Sequence, residues 1–157
     1  MSKSKVYLET TIISYATAPP SRDVLRTARQ IITRDWWQRR EQFDLYVSQA
    51  VLRELAAGVP EAAARRLALV EGVAVLDLLD DVGDLAHALL STSAGPIKAA
   101  VDAAHIAIAA VHGMDYLLTW NCKHIANVRT RGKIEEACRQ SGFQPPLICT
   151  PEELTEE

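Results

Sequence analysis

Five short runs of β-forming apolar residues recur along the chain, and between them the apolar residues step at helical spacing. Few folds tolerate that alternation. The runs are Lys5 to Leu8, Phe43 to Val47, Val73 to Leu78, Asp115 to Thr119 and Leu147 to Thr150. Each is nearly continuous in apolar character, as strands covered on both faces are. Between them, Ile12 to Tyr15, Ser21 to Glu41, Ser48 to Leu55, Glu61 to Val70, Asp81 to Leu90, Ile97 to His112 and Ile134 to Ser141 read as helices. Thr10 and Thr11 are expected to cap the first helix, Ser21 the second and Ser48 the third, while Gly58, Gly95-Pro96, Gly113 and Gly142 mark stops. Strand and helix in strict succession predict an α/β fold: a mainly parallel central sheet of about five strands, flanked by helices in three α/β/α layers.

Size fits one such unit. The 157 residues, 48% of them hydrophobic, suit a single domain over 1–157, with the residues after Pro151 expected to form a flexible end. The start, MSKSKVYLE, lacks the apolar core of a signal peptide, and no apolar run is long enough to span a bilayer. The three cysteines, Cys122, Cys138 and Cys149, form neither a CxxC pair nor a zinc pattern, which predicts reduced thiols in a cytoplasmic protein. The net charge of −3 excludes a general nucleic-acid coat. It conceals two basic segments: residues 21–42 hold six arginines against three acids, and residues 120–140 hold five Lys or Arg against two Glu. Each is a solvated helix face or a rim for a phosphate backbone.

In a parallel sheet, sites gather beyond the carboxyl ends of the strands. Glu9 follows the first strand. Glu54 lies on the helix after the second. Asp102 sits in the second turn of an otherwise apolar helix, KAAVDAAHIAIAAV, and Asn121 follows the fourth strand. Glu9 poses the sharpest question, because a buried, unpaired carboxylate costs several kcal/mol. Oxygen ligands without cysteine or paired histidines suit Mg²⁺ or Mn²⁺, which polarise a phosphoryl oxygen and activate a bound water. Each acid also has a plainer explanation: Glu54 as a surface residue, Asp102 as the partner of His105 one turn on. His105 itself is expected to pack, or to carry a proton.

The same residues carry a likeness. VYLETTII, VSQAVLREL, VDAAHIAIAA and LLTWNCKHI resemble, in order and spacing, the four motifs of PIN-domain ribonucleases, and among these the chain looks most like VapC-type toxins of bacterial toxin–antitoxin pairs. The resemblance implies Mg²⁺- or Mn²⁺-dependent endonucleolytic cleavage of RNA, inhibition by a small antitoxin protein, and a homodimer. By position it makes Glu9, Glu54 and Asp102 the metal-binding acids, with Asn121 the fourth catalytic member. Thr11 is the candidate for supporting Glu9 from behind, and Trp120, Lys123 and His124 are candidates for touching RNA. Two positions depart from the pattern. Glu9 stands where Asp is usual, one methylene or about 1.5 Å longer, and Asn121 brings a carbonyl but no charge where an acid is usual.

Those departures keep an alternative open: a catalytically weak or inactive member of the fold, acting as an RNA- or protein-binding module. A phosphatase with an aspartyl nucleophile fits poorly, since Glu9 and Thr11 occupy the places its Asp-x-Asp motif requires.

Overall fold

The computed structural model describes residues 2–91 and 99–155, the side chain of Ser91 excepted. Five strands, β1 (Lys5–Leu8), β2 (Asp44–Ser48), β3 (Ala74–Leu76), β4 (Tyr116–Leu118) and β5 (Leu147–Cys149), form one sheet in the order β3-β2-β1-β4-β5. Every pairing is parallel, with Val6 opposite both Leu45 and Tyr116. The helices are α1 (Thr10–Thr17), α2 (Val24–Gln38), α3 (Gln49–Leu55), α4 (Pro60–Leu69), α5 (Asp80–Ser91), α6 (Ala100–Val111) and α7 (Val128–Gln140), with a 3-10 turn at Arg40–Gln42.

Strand order explains the layering. From β1 the chain moves outward through β2 to β3, then crosses back to β4 and moves outward the other way to β5. Right-handed crossovers taken in opposite directions place their helices on opposite faces. Accordingly α1 packs with α2, α3 and α4, whereas α5 packs with α6 and α7. The central strand β1 is covered on both sides, so Val6, Tyr7 and Leu8 are fully buried, while the edge strand β3 remains largely exposed. Ile12 and Ile13 of α1 and Ile106 and Ile108 of α6 complete the core.

The sequence boundaries shift in four places, the last helix furthest: α7 starts at Val128 behind an Asn127 cap and not at Ile134. The first helix starts at Thr10, and its N-cap is Glu9, whose side chain accepts a hydrogen bond from the Thr11 amide; the threonines are instead its first two residues. The second helix starts at Val24 behind Asp23, because the Ser21 hydroxyl is spent on the Asp23 amide. The apolar sixth helix begins at Ala100, which puts Asp102 in its first turn and not its second; Gly95-Pro96 and Ile97 lie outside the described residues. Ser48 caps α3 as expected, through the Val51 amide.

Residues 151–154 are a packed turn: Leu154 is buried, its carbonyl accepts the Trp36 indole N–H at 3.0 Å, and the Glu153 carboxylate accepts from the Thr150 amide. Trp36 is thereby a core residue, stacked on Phe43. No helix among the described residues is long and apolar enough to cross a membrane.

Candidate active site

The strand order reverses between β1 and β4, and the carboxyl ends of these two strands are where an open parallel sheet presents its binding crevice. Glu9 leaves β1 there, and Thr119, Trp120 and Asn121 leave β4 beside it, the two strand ends being joined by the Glu9 amide donating to the Leu118 carbonyl at 3.1 Å.

Glu9 is only 4% exposed, and one of its oxygens accounts for that burial. Its Oε1 accepts from the Thr11 amide at 3.1 Å, the Thr11 hydroxyl at 2.5 Å and the Thr119 hydroxyl at 2.7 Å. Each threonine hydroxyl in turn accepts a backbone N–H from the end of β4: Thr11 from Trp120, Thr119 from Asn121, both at 2.9 Å. Both hydroxyl protons are thus aimed at the carboxylate. The amide end of α1 adds its positive dipole. The charge that seemed out of place after an apolar strand is therefore held by donors from α1 and from the end of β4.

Glu54, on α3, is stabilised differently. Its Oε1 accepts from the Thr10 hydroxyl and from His105 Nε2, each at 2.6 Å. Partial burial pushes its carboxyl up, but the His105 and Thr10 hydrogen bonds and the nearby imidazole outweigh this, so the group lies below the usual glutamate range. His105 is 1% exposed and belongs to Glu54, not to Asp102 as its i+3 spacing suggested. Residues three apart on α6 share a face, but the Nε2 of the ring is taken by Glu54 of α3 and its Nδ1 by Tyr7.

Asp102 is the least supported of the three. One oxygen, Oδ1, accepts from the Asn121 amide nitrogen at 3.2 Å. Desolvation raises its carboxyl above the ordinary range; His124 and His105 oppose that shift, and the Glu54 charge adds to it. Asn121 is committed at both ends, because its Oδ1 accepts the His124 backbone N–H at 3.0 Å. Its amide therefore holds Asp102 where a fourth carboxylate would have repelled it.

The predicted residues are thus one connected system: Glu54 to Thr10, then Thr11 to Glu9, Thr119, Asn121 and Asp102. In all three acids the second carboxylate oxygen receives no hydrogen bond among the described residues. The donor set is hard and anionic, as a Mg²⁺ or Mn²⁺ site requires. It is not a closed cage: no group of three His, Cys, Asp or Glu side chains among the described residues is placed to hold an ion. Mg²⁺ does not demand one, since it is held by one or two carboxylates, waters and substrate phosphates.

The RNA-contact candidates separate. Lys123 and His124 are exposed on the turn after β4, beside the acids. Trp120 is corrected: it is 5% exposed, its indole N–H donates to the Thr33 hydroxyl at 2.7 Å, and its ring meets Tyr15 edge-on. A ring so enclosed packs α1 and α2 against β4 and offers no face to a base; Arg29 lies over it at 5.2 Å. Sequence reasoning also passed over Tyr7 and Thr119, and gave Ser48 a capping role alone. Tyr7 read as one more β-former, yet a tyrosine in a doubly covered strand must find a partner for its hydroxyl. That partner search was the available signal.

The sequence model of the PIN domain matches residues 6–126, which spans every acid described above. No functionally curated protein matches the chain. Among solved structures, the toxin VapC20 of Mycobacterium tuberculosis, described as cleaving the sarcin–ricin loop, superposes with a TM-score of 0.59 at 16% identity, over 88% of this chain and 95% of the other. VapBC2 of Rickettsia felis, bound to a DNA fragment from its promoter, gives 0.57 at 15% identity, over 93% and 98%.

Proposed function

Because this chain belongs to the PIN domain family, we propose that it is a Mg²⁺- or Mn²⁺-dependent endoribonuclease and the toxin of a toxin–antitoxin pair. The observation that carries this is the state of the three acids. Glu9, Glu54 and Asp102 lie in one hydrogen-bonded system at the β1/β4 switch point, each with one oxygen fixed by the protein and the other without a donor among the described residues. Carboxylates alone repel a phosphodiester; a divalent ion between them reverses the local field. One or two of Glu9, Glu54 and Asp102 would hold the ion, the rest of its shell being water and substrate phosphate, and the ion would supply Lewis-acid polarisation of the phosphoryl oxygen and an activated water.

The protein's own part is orientation and charge. Thr11 and Thr119 fix Glu9, His105 and Thr10 keep Glu54 ionised, and Asn121 fixes Asp102. Lys123 and His124, exposed beside the acids, would meet backbone phosphates. Exposed Val24, Leu25 and Ile31 of α2 offer an apolar face to a protein partner, an antitoxin or the second copy of a homodimer. VapC20 and VapBC2 support the assignment through fold alone.

Incubation of the purified protein with total cellular RNA, with and without Mn²⁺, tests this directly. Discrete cut ends should map only when the ion is present, and Asp102→Asn should abolish them without unfolding the chain. Cleavage at the wild-type rate by Asp102→Asn would refute the assignment.

One observation favours a second function. Asn121 adds no charge, and both its polar ends are already engaged. A protein that binds RNA or a partner while its centre stays idle would show retained binding and no Mn²⁺-dependent cut on any RNA.

A further inference from the structure

Four of the six arginines in residues 21–42 are spent on the fold. Arg34 donates to the Ala16 and Ala18 carbonyls at 3.2 and 2.7 Å, Arg39 pairs with Asp35, and Arg40 lies over the Trp37 ring. Arg29 lies over Trp120 and donates to the Tyr15 hydroxyl at 3.5 Å. The side chains of Arg22 and Arg26 remain, exposed and without a partner among the described residues. Arg26 borders an open cavity of about 240 Å³ between α1 and α2, which it lines with Ser14, Tyr15 and Ala18.

The walls of this cavity are fixed. The Arg34 bonds, and the Gln30 amide donating to the Pro19 carbonyl at 2.9 Å, tie α2 back onto the end of α1. Tyr15 is half-buried and its ring meets Trp120 edge-on. The cavity is therefore formed before a ligand arrives, as binding sites mostly are. Helix geometry places it relative to the acids. Thr11 and Tyr15, four apart, share one face of α1, and a turn advances about 5.4 Å. Thr11 donates to Glu9 and accepts the Trp120 N–H. The cavity thus lies one helical turn beyond the residue that holds Glu9.

Its lining selects its ligand. An apolar ligand would leave the guanidinium unused, and a simple anion would leave the aromatic ring unused. A volume below the roughly 300–1,000 Å³ of drug-sized pockets suits one nucleotide and no peptide helix. Single-stranded RNA is gripped by this pairing of groups, with cations on the backbone and bases stacked on aromatic rings.

We propose that the cavity is a nucleotide subsite for single-stranded RNA, in which Arg26 takes a backbone phosphate and Tyr15 stacks the adjoining base. The proposal rests on the nuclease reading for its substrate, but what the cavity binds is measurable without cleavage. The nucleotide held here neighbours the one at the acids. The subsite therefore governs affinity and the position of the cut, and takes no part in the chemical step.

The first test titrates the metal-free protein with each nucleoside 5′-monophosphate and follows the Tyr15 ring and Arg26 Nε–H signals by NMR. At least one nucleotide should shift both signals saturably, and inorganic phosphate should bind more weakly. Arg26→Ala and Tyr15→Leu should each weaken that nucleotide roughly 5-fold or more. Thermal melts establish that each variant is folded, and Arg26, being exposed, is free of the core. No shift at either residue overturns the proposal, as does phosphate binding as tightly as every nucleotide.

The second test is RNA cleavage with Mn²⁺. Arg26→Ala should raise KM roughly 10-fold, leave kcat near wild type, and reduce the salt slope of RNA binding by about one. Lys3→Ala removes the same charge just before β1, at the opposite end of the sheet from the acids, and should change none of these. Equal effects of the two variants, or a fall in kcat alone, overturn the subsite. If wild type cuts no RNA, the nuclease assignment fails, and the nucleotide titration still decides what the cavity binds.

Discussion

Glu9 and Asp102 are both carboxylates at the start of a helix, at the same edge of the sheet, and the protein treats them in opposite ways. Glu9 is enclosed, with three donors on one oxygen drawn from α1 and from the end of β4. Asp102 is partly open, with a single donor 3.2 Å away and a carboxyl that burial pushes upward. One is built into the fold; the other is tolerated by it. The contrast separates what an acid does for stability from what it does for a ligand, and it makes the two residues diverge under substitution.

The largest divergence lies in activity. Asp102→Asn should bring RNA cleavage to background while shifting unfolding free energy by no more than about 0.5 kcal/mol, the range of changes away from structural features. Urea titration beside a cleavage assay reads both, and a cooperative loss of structure would erase the distinction drawn here. Glu9→Ala should lose cleavage too, but at a cost of about 2–4 kcal/mol, since it strands two buried hydroxyls and an amide. A neutral effect on stability would mean that Glu9 is as loosely held as Asp102.

Smaller effects sharpen the same contrast. Thr119→Val keeps the shape but removes the hydroxyl that joins Glu9 to Asn121, and about 1–2 kcal/mol should be lost. Trp120→Phe should cost about 1 kcal/mol through the Thr33 bond and leave RNA affinity unchanged. A marked drop in affinity would restore Trp120 as a base contact. Smallest of all is the thiol chemistry. Burial raises Cys138 to about 11 and Cys149 to about 12. At pH 8 both are protonated in the folded chain, and their thiolates appear only as pH rises toward those values. Iodoacetamide at pH 8 should therefore label Cys122 alone, which is exposed, and the other two only on unfolding.

The strands were legible because each is a short apolar run bounded by polar or turn residues, and all five fall within two residues of their expected limits. Glu9 and Asp102 drew notice because their surroundings are apolar, with His105 the one partner that KAAVDAAHIAIAAV offered Asp102, whereas Glu54 read equally as a surface residue. Their partners were not. Thr119 lies 110 positions from Glu9, and no local pattern connects them. His105 sits three residues from Asp102 yet belongs to Glu54, 51 positions away. Trp120 looked accessible because it adjoins Asn121; its enclosure depends on Thr33 and Tyr15 of helices that approach only in the folded molecule. Local propensity places elements, whereas hydrogen-bond partners follow from how those elements dock.

The position of β1 between β2 and β4 has a consequence for the order of assembly. The half built from β1, β2 and β3 can pair with near neighbours in the chain, but β1 acquires its second flank only when β4 returns from beyond residue 115. Closing that span is entropically slow. Until it happens Glu9 has no Thr119 and Asp102 no Asn121, so a refolding chain should recover helical signal well before it recovers any competence of the site.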